Sequence, residues 1–379
     1  MDAPPITTPA KPRPHPGQLR RWHRWCGLAV LAFLLIAALS GALLVYKKEL
    51  VRLLITPGAE LPADYDAAHM ARQLDRIVQQ AEAGTLRLIK APNRKEPYWT
   101  LTLAGRGGER TVQLLSSATL EPYRNNLWLL DGMAFIRELH TELLTGAAGE
   151  ALLLASGVGG LFLSVTGLLI WWPTRRGFRW RWVLPRPMPM RFVLHSHRHA
   201  GAVAAAILIA VMLTGSIMLW QKLVRPLLAP APATTLQTSL AGEVAPSRWL
   251  LAAAAAVPDG WPTYIRLPDG DRGEASIRFR LPGEWHPNGR TSVTLEATTG
   301  KMTLSQRSDE ARPVRRALNQ LYPLHSGYGM GWVYALLIFA SGIALLWLGV
   351  SGGMSYLRRR PARGGLSFPR KLTRGTHSR

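Results

Sequence analysis

Four long stretches without a charged side chain limit this chain more than any other feature. No Asp, Glu, Lys or Arg occurs between Arg24 and Lys47, between Glu150 and Arg175, between Arg198 and Lys222, or between Arg316 and Arg358. The last stretch contains a dense apolar core from Trp332 to Val350. A helix needs about 20 apolar residues to cross roughly 30 Å of hydrocarbon, and each stretch supplies them. The predicted fold is a membrane α-helical bundle with spans at 25–46, 150–172, 199–221 and 332–353. These leave tails at 1–24 and 354–379, a short loop at 173–198, and two large segments at 47–149 and 222–331.

A formal net charge of +23 would ordinarily point to nucleic acid. Its placement argues against that partner. Residues 1–25, 173–198 and 354–379 hold 20 Lys and Arg with one acid, Asp2, while the remaining 26 Lys and Arg are nearly matched by 22 Asp and Glu. The excess therefore lies on one side of a four-span protein, as the positive-inside rule requires. Both termini and the 173–198 loop are expected in the cytoplasm of a bacterium, against the anionic lipid of its inner membrane. The two large segments are expected outside. Arg20, Arg21 and Arg24 before the first span resemble the start of a signal peptide, but Tyr46-Lys47-Lys48-Glu49 is no small-residue cleavage site, so an uncleaved anchor is expected. The single cysteine, Cys26, cannot close an internal disulfide.

The chain also repeats itself. A shift of 174 places His23 on His197, Gly27 on Gly201 and Ser40-Gly41 on Thr214-Gly215. A shift of 185 places Leu139-His140-Thr141 on Leu324-His325-Ser326, Ser156-Gly157 on Ser341-Gly342 and Thr166-Gly167 on Ser351-Gly352. Two halves, each a span, an exported segment and a second span, should relate by a two-fold axis along the membrane normal. Each exported segment reads as a small α+β unit. The first has a helix over Asp66–Ala83 and strands at Leu86–Lys90, Tyr98–Leu103 and Arg110–Leu115. The second has a helix over Pro246–Val257 and strands at Thr263–Leu267, Ala275–Leu281, Ser292–Glu296 and Met302–Gln306, with turns at Gly107-Gly108 and Pro287-Asn288-Gly289. The Pro- and Ala-rich stretch Pro226–Pro246 is expected to be an extended, mobile linker.

The repeat sorts four histidines by depth. His23 and His197 fall at the cytoplasmic ends of spans one and three, and His140 and His325 just before spans two and four. The two layers stand roughly 33 Å apart at 1.5 Å per residue, so no single ligand joins them. A flat cofactor on the repeat axis could join each pair, and imidazoles from facing helices suit the two axial positions of haem iron. Arg20, Arg21, Arg24 and Arg198 could meet haem carboxylates at the inner pair, and Arg137, Arg315 and Arg316 at the outer. The plain reading of any one of these histidines is a hydrogen bond at headgroup level; their pairing at both faces favours ligation. His199 competes with His197 as the third-span ligand, although headgroup contact is the expected role of both His195 and His199. His15, His69, His286 and His377 lack repeat partners and are expected to face solvent. The glycines of the spans are read as close-approach points between helices. Tyr98, Trp99, Trp261 and Trp285 could line a ligand groove or fill strand cores. No dinucleotide fingerprint, P-loop, nucleophile elbow or HExxH motif is present. With no covalent attachment motif Cys-x-x-Cys-His, the expected cofactors are two haem b groups.

Several of these motifs occur together in one known family. Trp22-His23-Arg24-Trp25-Cys26-Gly27, Arg137-Glu138-Leu139-His140, the Thr166–Pro173 end of span two and Leu324-His325-Ser326-Gly327 resemble the PepSY-associated transmembrane family over roughly residues 18–360. Within it, the chain is similar to inner-membrane ferric-siderophore reductases of the ferrioxamine type, which are dihaem proteins. The resemblance implies two PepSY-like exported domains and haem ligation by His23, His197, His140 and His325. It departs at His199, where the family carries Trp or another bulky residue, so His199 stays open as an alternative ligand. The expected activity is reduction of a ferric-siderophore in the periplasm, with electrons from a quinol or a reductase protein. The competing expectation is a non-enzymatic permease for an iron compound, or a ligand-binding or assembly protein of the membrane.

Overall fold

The computed structural model describes residues 16–81, 85–104, 110–184, 190–224, 233–239, 245–268, 273–296, 301–305 and 307–357. Four of its helices are long and apolar enough to cross a membrane: α1 (Pro16–Val45), α5 (Ala147–Trp171), α6 (Met190–Val224) and α10 (Trp332–Leu357). They close into a four-helix bundle in which α5 and α10 each pack against both α1 and α6. This leaves α1 and α6 facing each other diagonally. Small residues set the spacing. A Cβ on Gly342 would stand 3.1 Å from Ala42 Cβ, and one on Gly160 2.9 Å from Met212 Sδ.

The bundle helices outrun the predicted spans mainly at the tail end. Helix α1 begins at Pro16 and α6 at Met190, nine residues on each side before 25 and 199. The loop between α5 and α6 is not featureless either, because short helical turns at Trp172–Gly177 and Trp180–Trp182 fold it against the ends of those helices.

The large segments build a separate antiparallel sheet. The first contributes α2 (Lys47–Leu54), α3 (Ala67–Gln80), β1 (Leu86–Lys90), β2 (Tyr98–Ala104), β3 (Arg110–Ser116) and α4 (Trp128–Glu142). The second contributes β4 (Ala233–Ser239), α7 (Pro246–Ala256), β5 (Trp261–Arg266), β6 (Glu274–Arg280), β7 (Thr291–Glu296), β8 (Lys301–Ser305), α8 (Pro313–Asn319) and α9 (Leu321–Ser326). Helix α3 starts where the Asp66 carboxylate accepts from the His69 N–H at 2.8 Å. It buries Met70, Ala71, Leu74 and Ile77, the spacing of one helix face. In β6, Ala275, Ile277 and Phe279 alternate inward. At the β6–β7 turn Gly289 takes φ +66° with its α-carbon against the Phe279 backbone, a place no side chain fits.

Two expectations need correction here. The two large segments do not form two separate units. Strands β1 and β5 pair antiparallel, with Ile89 opposite Ile265, and the result is one sheet in the order β3-β2-β1-β5-β6-β7-β8-β4. Helices α3 and α7 pack together on it, and one core holds Leu74 and Trp99 from the first segment with Leu250 and Phe279 from the second. Each unit alone would leave a strand edge unpaired, and joining the two edges removes both. The expected mobile linker also contains structure, because Ala233–Ser239 pairs with β8 as an edge strand. The Gly107-Gly108 turn lies outside the described residues.

A smaller core fixes the sheet to the bundle. Val51 of α2, Ile55 just after it, and Leu129, Leu130 and Met133 of α4 pack on Tyr98 and Leu114, on the face of β2 and β3 opposite Trp99 and Leu115. Tyr98 and Trp99 are therefore buried on the two sides of one strand and cannot line an open groove. Trp261 is half-buried and donates to the Pro92 carbonyl, whereas Trp285 is exposed.

Candidate functional site: two imidazole layers

At the tail end of the bundle, His23 on α1 and His197 on α6 line one cavity of about 690 Å³. Arg20, Arg21, Arg24 and Arg198 line the same cavity, as does Tyr356. At the sheet end, α4 and α9 turn back to lay His140 against α1 and His325 against α6. Their ring centroids are 6.1 Å apart, with 38° between the ring planes. This layer lies within the bundle and not at its rim, since His140 sits beside Ala37 and Gly41, a turn or more before α1 ends at Val45.

All four imidazoles are seated alike. His140 Nδ1 lies 3.0 Å from the Ala37 carbonyl and 3.1 Å from Ser40 Oγ. His325 Nδ1 lies 3.0 Å from the Val211 carbonyl and 3.3 Å from Thr214 Oγ1. A carbonyl only accepts, so Nδ1 carries the proton and donates. At the tail side, His23 Nδ1 stands 2.8 Å from Thr166 Oγ1 and His197 Nδ1 2.9 Å from Ser351 Oγ. Those hydroxyls spend their own protons on the carbonyls of Phe162 and Trp347, at 2.7 Å each. They therefore accept from Nδ1–H. In every case the proton is on Nδ1 and Nε2 keeps its lone pair, the form that binds a metal.

Each imidazole also rests on a glycine. A Cβ on Gly41 would lie 2.8 Å from His140 Cε1, and one on Gly215 2.7 Å from His325 Cε1. The distances at Gly167 to His23 and at Gly352 to His197 are both 3.4 Å. The reading of the span glycines as helix-contact points thus holds for Gly160 and Gly342 and misses Gly167 and Gly352, whose nearest neighbours are imidazoles. The paired Ser/Thr-Gly dipeptides were the available signal: the hydroxyl takes the ring nitrogen and the glycine makes room for the ring. Along α1 and along α6, 18 residues separate the tail-side histidine from the sheet-side glycine, a rise of about 27 Å.

The remaining candidates lie elsewhere. His199 is buried, with Nδ1 2.7 Å from the His195 carbonyl and Nε2 3.3 Å from the Gly177 carbonyl, its ring against Phe178. It packs under the tail-side loop instead of reaching headgroups, and it does not line the cavity that holds His23 and His197. His195 is exposed beside Trp182. His69 is partly exposed next to Asp66. His286 is not solvent-facing as expected: it is 4% exposed, accepts from the Asn288 N–H and packs its ring on Tyr322. Burial and the cations Arg290, Arg278 and Lys48 push its imidazole down to about 3. His15 and His377 lie outside the described residues. Arg137 contacts Glu138, and Arg316 donates to the Ala311 carbonyl.

The tail-side residues suit a flat, amphipathic cofactor, while the sheet side presents two neighbouring imidazoles. At the tail side the cavity is apolar along the helices and cationic at its mouth, the surroundings an amphipathic macrocycle with carboxylate arms requires. Among the described residues no group of three or more His, Cys, Asp and Glu side chains converges as a zinc or iron cage would need.

A family model described as a PepSY-associated TM region matches residues 20–359. The chain belongs to this family. The match spans all four bundle helices and the whole sheet, so the PepSY-associated assignment covers both imidazole layers. Among curated proteins nothing matches the chain.

Proposed function

We propose that this PepSY-associated membrane protein is a dihaem reductase of the bacterial inner membrane that delivers electrons to a ferric-siderophore in the periplasm. The observation that carries the reading is the uniform seating of four imidazoles, each with Nδ1–H engaged and Nε2 free, in two layers at opposite ends of the bundle. His23 and His197 would hold one haem b, and His140 and His325 a second. Bound there, haem supplies one-electron chemistry. The protein's part is to hold the rings, fix their tautomer and keep water away from the iron. Arg20, Arg21, Arg24 and Arg198 would neutralise carboxylate arms at the tail side.

The matching seats at Ser40-Gly41 and Thr214-Gly215, and at Thr166-Gly167 and Ser351-Gly352, support a two-fold internal repeat in which each half carries one PepSY-like exported unit. Charge placement supports cytoplasmic termini, so the tail-side layer would receive electrons from a quinol or a reductase protein. One electron converts ferric iron, a hard ion held tightly by oxygen chelators, to ferrous iron, which they hold much less well.

A pyridine haemochrome assay on the purified protein should give two haems per chain, with a bis-histidine reduced-minus-oxidised spectrum. A ferrous-specific chelator should report iron release from a ferric-siderophore once the protein is reduced. A haem content near zero would leave a non-enzymatic permease or ligand-binding protein as the better reading. Two haems without ferrous release would keep the electron relay and remove the ferric substrate.

A further inference from the structure

One buried polar cluster belongs to neither imidazole layer. Glu96, 6% exposed, sits at the turn between β1 and β2. Its Oε2 accepts from Lys48 Nζ at 2.8 Å, from the Tyr328 hydroxyl at 2.8 Å and from the Lys90 ammonium. Lys48 Nζ also lies 3.3 Å above the centre of the Tyr328 ring. Burying a carboxylate with two ammoniums carries a desolvation cost, so such a cluster is weak evidence for stability and better evidence for a fixed geometry.

The geometry it fixes is specific. Lys48 follows the end of α1, Lys90 and Glu96 belong to the sheet, and Tyr328 comes three residues after His325. Tyr328 stands in the sequence Gly327-Tyr328-Gly329-Met330-Gly331, whose glycines take φ +74°, +87° and +92°. Side chains are missing at alternate positions, so Tyr328 is the loop's side-chain tie to the sheet, while on the bundle side Tyr334 donates to the Leu324 carbonyl and Gly327 packs on Ala335. The helix before it, α9, is only six residues long and carries His325 at its fifth position. At the start of α9 the sheet side takes hold again, with the Tyr322 ring 5.3 Å from His286. The helix bearing one sheet-side imidazole is thus gripped at both ends by groups of the exported sheet.

We propose that Glu96 and Tyr328 are positioning residues for the sheet-side imidazole pair: they lock the Gly327–Gly331 loop onto the sheet and thereby set the tilt of His325 against His140. The spectroscopic part rests on the haem reading above; the loop part does not. The test uses full-length protein carrying Tyr328→Phe or Glu96→Gln, with Asp259→Asn as a control that breaks the exposed Asp259–Arg307 pair of the same sheet. Losing a hydrogen bond to a buried charge should speed amide exchange across residues 321–331 about tenfold in both variants, and leave Asp259→Asn unchanged. If the haem-free chain does not fold, the same comparison on loaded protein decides the point. In loaded protein both variants should keep two haems, shift the low-spin electron paramagnetic resonance signal of the sheet-side haem, whose anisotropy follows the angle between imidazole planes, and leave the tail-side signal in place. Unchanged exchange overturns the inference. Faster exchange with an unaltered sheet-side signal also overturns it, because the loop would then be held without orienting the ring. Wild-type protein that takes up no haem sinks the proposed function instead, and exchange alone then decides whether the loop is locked.

Discussion

At the tail end, His23 and His197 project from two spans into an arginine-lined cavity, and their glycine neighbours leave ordinary van der Waals room. At the sheet end, His140 and His325 arrive on short helices from outside the bundle and press on Gly41 and Gly215 more closely than any Cβ would allow. The tail-side rings belong to the bundle, so a change in the sheet has no direct hold on them. The sheet-side rings are held from two directions, by the spans through Nδ1 and by the sheet through α4 and α9. One layer is therefore tolerant and built around a cavity, while the other is tight and tied to the part of the protein that would meet a substrate.

The largest effect separating the layers should come from the ligands. His140→Ala and His325→Ala should each lower the haem content from two per chain to one and remove the same spectral component, while His23→Ala and His197→Ala remove the other. His199→Ala, away from the cavity, should leave both components. If His199→Ala reproduced His23→Ala while His197→Ala stayed normal, the tail-side pairing would be wrong.

The glycines should break the comparison in sign. Gly41→Ala and Gly215→Ala force a methyl against an imidazole and should cost about 1–3 kcal/mol together with sheet-side haem retention. Gly167→Ala and Gly352→Ala meet the ring at contact distance and gain helix propensity, so thermal stability should hold or rise by about 1 kcal/mol. Equal losses at all four positions would mean that the layers do not differ in tightness.

Hydroxyl removal should fall the other way. At His140 the Ala37 carbonyl backs up Ser40, whereas at His23 the Thr166 hydroxyl takes Nδ1. Thr166→Val should weaken tail-side haem retention roughly tenfold to a hundredfold, and Ser40→Ala should change sheet-side retention much less. Haem loss to an acceptor protein measures both.

The smallest effect is the pH response of the sheet's tie to the bundle. Lys90 and Lys48 offset the burial of Glu96 and hold its carboxyl down to about 2. A depressed acid contributes stability that is complete above its unfolded value near 4.5 and lost as pH falls toward 2. One carboxylate serves two ammoniums. Lys90 is raised above its ordinary value, and Lys48, more burdened by burial, drops to about 7. The penalty for charging Lys48 is thus full below pH 7 and fades toward pH 10.5. Thermal melts should show sheet loosening on acidification below pH 4.5 that Glu96→Gln removes.

Most of the frame was legible because membrane crossing and strand alternation are one-dimensional patterns. The charge-free stretches gave the four spans, and the strands at Leu86–Lys90 and Ser292–Glu296 fell within a residue of their places. The histidine pairs were legible through the repeat. What the pattern did not carry was long-range pairing. Nothing in Ile89 or Ile265 alone announces that their strands face each other, so one sheet read as two units. Burial of His286 was hidden for the same reason, since Tyr322, 36 residues later, covers it. The role of Gly167 and Gly352 was masked by the ordinary use of glycine between helices, which Gly160 and Gly342 do fulfil.

The 18-residue interval between His23 and Gly41, repeated between His197 and Gly215, is five turns of an α-helix at 3.6 residues each. Ring and seat therefore stand on one edge of the same rod, like two notches cut in line. Inserting a single residue between them would rotate one notch by about 100° away from the bundle interior, and four residues would leave it about 40° out of line while moving it some 6 Å deeper. The length of α1 and α6 between these points is thereby fixed by angle as well as by bilayer thickness. Among chains that share both layers, insertions and deletions should gather in the sheet loops and the tails, and should be missing from residues 24–40 and 198–214.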